Sequence, residues 1–86
     1  MIKIEYSRRF KKKLDRYNPR QKKRIKEKVW VFAKDPYSPL LKTHQLTGKL
    51  KGYWAFSVEY NLRIMFRFGG NDTAEFVDVG THEIYK

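Results

Sequence analysis

The stretch that decides the fold spans residues 53–68 and reads YWAFSVEYNLRIMFRF. Apolar and polar residues alternate on both sides of Asn61, which is the two-residue period of a β-strand, so we predict two strands joined by a turn there. The two apolar rows are Trp54, Phe56, Val58, Tyr60 and Leu62, Ile64, Phe66, Phe68. Because Arg63 and Arg67 project opposite the second row, one sheet face covers a core and the other offers cations to a ligand.

A segment with two glycines, residues 44–52, leads into the first of these strands. If the segment is extended, Lys49 and Lys51 point the same way, and its flexibility lets both ammonium groups approach a phosphate. The alternative is a plain hairpin in which the lysines are solvated and His44 is buried.

The composition indicates one small domain over residues 1–86. The chain has no cysteine, hence neither a disulfide framework nor a thiolate metal site, which is compatible with a reducing cytoplasm. No apolar run approaches the roughly 20 residues of a membrane span, and the N-terminus enters a strand-like alternation rather than a signal peptide. We therefore expect a soluble, cytoplasmic protein with no membrane partner.

The positive charge is concentrated in the N-terminal third. Residues 1–34 contain 14 Lys or Arg and 3 Asp or Glu, whereas residues 35–86 contain 6 of each, so the net charge of +11 lies in the first segment. Such a field favours a polyanionic partner, either nucleic acid or an acidic protein segment. The alternative is a solvated helix surface that only keeps the protein soluble, but interspersed charges of both signs would serve that purpose equally well.

Two helices are predicted after a short first strand at residues 2–6. Ser7 is a suitable N-cap for a helix that begins at Arg8, and Asn18-Pro19 ends that helix because proline cannot continue the hydrogen-bond ladder. Pro19 then begins a second helix that runs to about Lys34. The apolar stripes are Phe10, Leu14, Tyr17 in the first helix and Ile25, Val29, Phe32, Ala33 in the second.

The C-terminal part adds a further strand. Residues 69–72, Gly-Gly-Asn-Asp, have the chemistry of a hairpin turn, and a strand follows from Thr73 to Val79. Gly80 then lets residues 81–85 swing over the edge or the open face of the sheet. The predicted order is β-α-α-β-β-β, which is α+β in class, with the last three strands antiparallel and the first joining the same sheet.

The two histidines, His44 and His82, each lie just outside a predicted strand. Imidazole exchanges protons near neutral pH, so such a pair would divide the duties of base and acid. RNA supplies its own nucleophile in the 2′-hydroxyl, and its cleavage then needs two proton transfers and a cation for the phosphate, without a metal or cofactor. The alternative is that each histidine is a hydrogen-bonded structural residue.

The sequence resembles the RelE/YafQ type of bacterial type II toxin ribonucleases, in the RelE/ParE superfamily. The resemblance rests on His-x-Leu-x-Gly-x-Leu-x-Gly-Tyr-Trp at residues 44–54, Asn-Leu-Arg-Ile-Met-Phe at 61–66 and Gly-Thr-His-Glu-Ile-Tyr at 80–85. Together with the length and the order of elements, these motifs cover nearly the whole chain. The resemblance implies a RelE-like fold, in which a small twisted antiparallel sheet carries two N-terminal helices on one face and a concave active surface on the other.

The resemblance also implies a function, namely cleavage of mRNA on the ribosome, near the 16S rRNA, by an endoribonuclease that a cognate antitoxin neutralises. It assigns His44 as general base, His82 as general acid and Arg63 as the cation that clamps the phosphate. Tyr85 would stack on a base or orient His82. The residues expected to bind the flanking substrate are Lys49, Lys51 and Arg67.

Some positions depart from the family pattern. Ala55 and Ser57 stand where some relatives carry a cationic or histidine residue, and Asp78 stands where they have an arginine. These changes reduce the positive charge around the scissile phosphate, which implies slow, ribosome-dependent or altered cleavage. Glu59 and Asp78 are also unfavourable neighbours for RNA, and either carboxylate would weaken the clamp by pairing with Arg63.

Two further functions remain open from the sequence. One is a toxin of the ParE kind, which has the same fold and poisons DNA gyrase through protein contact, without proton transfer. The other is an RNA-binding module that uses basic helices and stacking aromatic residues without catalysis.

Overall fold

The computed structural model describes residues 1–85, and its first helix follows from a local capping signal. Helix α1, Arg8–Leu14, begins where the Ser7 hydroxyl accepts a hydrogen bond from the amide of Phe10. The predicted start at Arg8 is confirmed. The helix ends earlier than expected, and Tyr17 lies in the turn that follows, where its amide donates to the carbonyl of Leu14.

The second helix also begins at its predicted residue. Helix α2, Pro19–Lys34, has a capping box in which the side chain of Asn18 accepts from the Gln21 amide and the Gln21 side chain accepts from the Asn18 amide. Proline suits this first turn because its nitrogen has no hydrogen to satisfy. Within residues 1–85, neither this helix nor any other has the length and apolar composition that a membrane span requires.

Five strands form one mixed sheet in the order β1-β5-β4-β3-β2. The strands are β1 (Lys3–Tyr6), β2 (His44–Gln45), β3 (Trp54–Glu59), β4 (Leu62–Phe68) and β5 (Thr73–Gly80). The α+β class is confirmed, but the wholly antiparallel sheet is wrong, since β1 runs parallel to β5 while the other neighbours are antiparallel. Alternation in the sequence defines the faces of a strand and carries no information about its direction.

Aromatic rings form the centre of the core. The ring of Phe32 on α2 lies 5.1 Å from that of Phe56, 4.8 Å from that of Phe66 and 5.1 Å from that of Phe76. All four side chains are fully buried. The helices therefore cover one face of the sheet, and the residues that alternate with Phe56 and Phe66 project from the opposite, open face.

The segment before β3 is turned rather than extended. Gly48–Leu50 form a short 3-10 helix, and Gly48 and Gly52 have positive φ values of 65° and 98°. Glycine adopts this geometry without a steric penalty, and it redirects the chain on both sides of the lysines. The expectation of an extended segment carrying Lys49 and Lys51 is therefore wrong.

A β-bulge in β3 changes which residues reach the core. Ser57 pairs with Arg63 but Glu59 pairs with Leu62, so Val58 is an extra residue in β3. A second irregularity lies between β4 and β5. Beyond the first bulge, Tyr60 leaves the apolar row and is 87% exposed, so its assignment to the core face is wrong.

Replacing Ser7 with alanine is expected to lower the free energy of unfolding by about 1–2 kcal/mol. The hydroxyl caps α1 at 3.1 Å and donates to the carbonyl of Val77 at 3.0 Å, so it joins α1 to β5. Chemical denaturation measures the change. Thr47→Ala is the matched control because Thr47 precedes the first 3-10 helix without a side-chain capping bond, and the control should change stability by less than about 0.5 kcal/mol. Equal losses in the two variants would contradict this account of Ser7.

Candidate active site

Arg63 and His82 are in direct contact. Arg63 lies on β4 between Ser57 of β3 and Gly80 of β5, and its Nη1 is 2.7 Å from Nε2 of His82. A guanidinium group only donates hydrogen bonds, so Nε2 of His82 is the acceptor in this contact. The contact therefore places the permanently charged guanidinium of Arg63 next to the His82 imidazole, which can exchange protons near neutral pH.

A close approach at the end of β5 positions the His82 ring. The chain leaves β5 at Gly80 and forms a second 3-10 helix, His82–Tyr85. A Cβ atom on Gly80 would lie only 2.8 Å from Cγ2 of Ile84, so glycine is needed for this helix to fold back on the strand. Ile84 is buried, which anchors the helix while His82 stays exposed beside Arg63.

Tyr85 completes this group. Its ring centroid lies 5.9 Å from that of His82 in an edge-to-face arrangement. Burial raises the pKa of the Tyr85 hydroxyl, and the positive charge of Arg63 partly opposes that increase, so the group remains a neutral donor at physiological pH. The hydroxyl oxygen is buried and has no hydrogen-bond partner within residues 1–85. A buried donor without a partner is costly, so a ligand that reaches this hydroxyl would gain a hydrogen bond from it.

His44 lies on the same face but outside this group. It pairs with Ala55, so its side chain projects from the open face, and it is exposed. Its Nδ1–H donates to the carbonyl of Lys42 at 3.1 Å, and Nε2 forms no hydrogen bond within residues 1–85. Strand spacing and rise place its Cα about 12 Å from that of Arg63. The structure therefore brings Arg63, His82 and Tyr85 together and leaves His44 two strands away.

The two carboxylates that were expected to weaken Arg63 pair with other cations. Asp78 is only 4% exposed and accepts a 2.6 Å hydrogen bond from Lys13. Glu59 lies 3.2 Å from Arg20 and also near Arg24. The alternative in which one of them pairs with Arg63 does not hold, because cations from α1 and α2 pair with both carboxylates. The local sequence does not connect these helices with the strands.

The three residues predicted to bind flanking substrate do not contact Arg63 or His82. Nε of Arg67 donates to Glu75 at 2.9 Å, and the Cα of Arg67 lies about 13 Å along β4 from that of Arg63. Lys49 and Lys51 are exposed around the first 3-10 helix. Within the described part of the chain, residues 1–85, no three His, Cys, Asp or Glu side chains converge as they would to hold a metal ion.

A cationic surface on α1 adjoins the group that Arg63 and His82 form. A shallow cavity there is lined by Arg8, Arg9, Lys12, Lys13 and Arg16. Lys13 connects the two regions, since its Nζ lies 3.6 Å from the position of a Cβ on Gly80, two residues before His82. A polyanion drawn to α1 therefore arrives beside the candidate site.

The family of the chain follows from its sequence match. A sequence model for "ParE toxin of type II toxin-antitoxin system, parDE" matches residues 4–84. The chain belongs to this family. The assignment of the toxin to the RelE/ParE superfamily, made from the motifs at residues 44–54, 61–66 and 80–85, is confirmed.

Solved structures of similar toxins share the fold. YafQ from Escherichia coli strain BL21(DE3) is 24% identical and has a TM-score of 0.79, with 99% of this chain and 98% of that chain covered. The E. coli DinJ–YafQ toxin–antitoxin complex contains a chain that is 25% identical, with a TM-score of 0.76 and coverage of 96% and 94%. The RelBE2 toxin–antitoxin complex of Mycobacterium tuberculosis contains one that is 14% identical, with a TM-score of 0.80 and coverage of 94% and 98%. No curated protein matches the sequence.

Proposed function

We propose that the toxin is an endoribonuclease that cleaves mRNA on the ribosome. The single observation that carries this proposal is the 2.7 Å contact between Arg63 Nη1 and His82 Nε2. A phosphodiester that binds the guanidinium takes the place of the ring as its acceptor and comes within reach of Nε2. Inhibition of gyrase through protein contact would not require a histidine next to Arg63, because that mechanism involves no proton transfer.

In the proposed reaction, the RNA 2′-oxygen attacks the adjacent phosphorus and the bond from phosphorus to the 5′-oxygen breaks. His44 accepts the 2′-hydroxyl proton at its Nε2. Once the phosphate has replaced the His82 ring at Arg63, Nε2 of His82 takes up a proton from solvent and gives it to the leaving 5′-oxygen. Arg63 stabilises the additional negative charge on the phosphoryl oxygens. The products are a 2′,3′-cyclic phosphate and a 5′-hydroxyl. Since the Cα atoms of His44 and Arg63 lie about 12 Å apart, the scissile phosphodiester of the RNA must lie over Ser57, where both side chains can reach it.

Two partners belong to this proposal. The cationic surface of α1, where Arg9 and Lys13 also neutralise Asp78, suits the phosphates of 16S rRNA, which would present the mRNA to the site. A cognate antitoxin is the second partner, as the similar YafQ and RelBE2 chains are found in toxin–antitoxin complexes. An antitoxin that covers Arg63 and His82 would block access of RNA to both.

The proposal is tested by induced expression of the wild-type toxin and of a His44→Ala, His82→Ala double variant, followed by mapping of mRNA ends. New ends are expected only with the wild type. Identical cleavage patterns from both proteins would remove the assignment of the two histidines.

The match to ParE toxins favours a second candidate, inhibition of DNA gyrase. That activity requires a protein-binding surface and no proton transfer. Loss of supercoiling in a purified gyrase reaction, with transcripts left intact, would establish it in place of the nuclease.

Replacing Tyr85 with phenylalanine is expected to slow cleavage about tenfold while leaving the free energy of unfolding equal or higher. The hydroxyl is buried without a partner among residues 1–85, so its removal costs the fold nothing, whereas a bound phosphodiester loses one donor. Cleavage kinetics and denaturation measure the two effects. A lower free energy of unfolding with unchanged cleavage would instead show that Tyr85 contributes to packing and not to catalysis.

A further inference from the structure

A groove extends from Arg63 away from His82. It lies where the turn between β3 and β4 meets α2 and the loop before β2, and its volume is about 490 Å³. The residues that matter to the argument are Arg24, Lys28, Lys42, Ser57, Tyr60 and Arg63. Because Arg63 belongs both to this groove and to the contact with His82, a chain that lies in the groove continues directly into the candidate site.

The groove is cationic in spite of one carboxylate. Glu59 also lines it, but this side chain lies 3.2 Å from Arg20 and 3.6 Å from Arg24. Within residues 1–85, Lys28 and Lys42 form no ion pair, so both ammonium groups are available to an anion. Lys42 has a φ of 53°, a left-handed conformation that a lysine rarely adopts. The carbonyl of this residue also accepts a hydrogen bond from Nδ1 of His44. The same turn therefore sets Lys42 in the groove and orients His44.

An exposed aromatic ring stands at the outer end of the groove. The extra residue at Val58 takes the buried position, and Tyr60 follows it into the turn between β3 and β4, where it is 87% exposed. Among the described residues its ring packs against no other aromatic ring. A flat, uncovered ring beside unpaired cations suits the base of a single-stranded nucleic acid, because every base has a face that stacks.

We propose that this groove binds the nucleotides on one side of the scissile phosphate in single-stranded RNA. Arg63 holds the scissile phosphate, Lys42 and Lys28 hold the phosphates that follow, and Tyr60 stacks on a flanking base. This subsite rests on the proposed nuclease function, and it places RNA over Ser57, on the path between Arg63 and His44. The bases of a duplex are paired and stacked, so only a single strand leaves a base free to stack on Tyr60.

The test measures the affinity of inactive His82→Gln toxin for oligoribonucleotides by fluorescence anisotropy. A short core is extended by one to four nucleotides, separately at its 5′ and 3′ ends. The affinity for RNA should rise when the oligonucleotide is extended in one direction only. Tyr60→Ala should lower the affinity for the extended oligonucleotide about tenfold, whereas Tyr60→Phe should leave it unchanged.

The Lys28→Gln, Lys42→Gln pair should weaken RNA binding and make its affinity depend less on salt concentration. The Lys22→Gln, Lys23→Gln pair removes the same charge from α2 outside the groove and is the matched control.

The outcomes separate this subsite from the reaction. The proposed role of the groove would be overturned if the gain in RNA affinity on extension persists in Tyr60→Ala, or if the two lysine pairs lose equal affinity. Normal cleavage by the wild type would still support the nuclease function. Variants in the groove that weaken binding of an acidic antitoxin segment but not of RNA would overturn the proposed role of the groove as well. Binding that depends on length and on Tyr60, in a toxin that cleaves nothing, would support the groove and remove the nuclease. Absence of RNA binding would overturn the groove, whereas the nuclease function is decided separately by cleavage on the ribosome.

Discussion

Replacement of His82 with glutamine is expected to slow mRNA cleavage by about 10²- to 10⁴-fold, the range that a positioned acid or base contributes. Glutamine keeps an oxygen that accepts from Arg63 but cannot transfer a proton at neutral pH. His82 is exposed, so the free energy of unfolding should change by less than about 0.5 kcal/mol. Single-turnover cleavage of a defined transcript, with denaturation of the same preparation, measures both quantities.

His82→Ala provides the comparison for this prediction. Alanine removes both the proton transfer and the acceptor for Arg63. If proton transfer is the lost function, alanine and glutamine variants should be about equally inactive. Substantial activity in His82→Gln combined with loss in His82→Ala would show that His82 only positions Arg63 and does not take part in the chemistry.

Replacement of Arg63 with alanine is expected to lower kcat for cleavage by about 10²- to 10³-fold, because it removes the cation that faces the developing phosphoryl charge. Arg63→Lys should retain part of the activity, since an ammonium keeps the charge but not the two parallel donors of a guanidinium. Neither Glu59 nor Asp78 competes for this side chain, because cations on the helices hold both carboxylates. Cleavage kinetics over a range of transcript concentrations separate kcat from KM.

Arg67→Ala is the matched variant on the same strand and face. Arg67 already forms a hydrogen bond and an ion pair with Glu75, so the loss of this guanidinium should cost less cleavage than the loss of Arg63. An equal or larger loss in Arg67→Ala would place the scissile phosphate further along β4 and contradict the assignment of Arg63.

The features of the fold that the sequence predicts are those with a local physical cause. Ser7 caps α1, Pro19 begins α2, and Asn71 and Asp72 adopt the positive φ values of 55° and 56° that their turn requires. The parallel direction of β1 has no such cause, because it depends on where the helical hairpin returns the chain. The turn around Lys49 could not be predicted from the presence of Gly48, because glycine permits both an extended and a left-handed backbone.

The candidate site is predictable only in part for a similar reason. Motif resemblance selected Arg63 and His82, and the register of β4 and β5 makes them neighbours. The pair formed by Lys13 and Asp78 joins residues 65 positions apart, and no local pattern connects them. Tyr60 was assigned to the core because strict alternation continues through it, whereas the bulge at Val58 depends on pairing with β4.

The central claim is that Arg63 and His82 act on one RNA phosphate. The most direct measurement is the chemistry of the RNA ends produced by purified toxin on translating ribosomes, determined by mass spectrometry for the wild type and for His82→Gln. We expect 2′,3′-cyclic phosphate and 5′-hydroxyl ends with the wild type and intact transcripts with the variant. Intact transcripts with wild-type toxin, at concentrations that arrest gyrase, would contradict the claim.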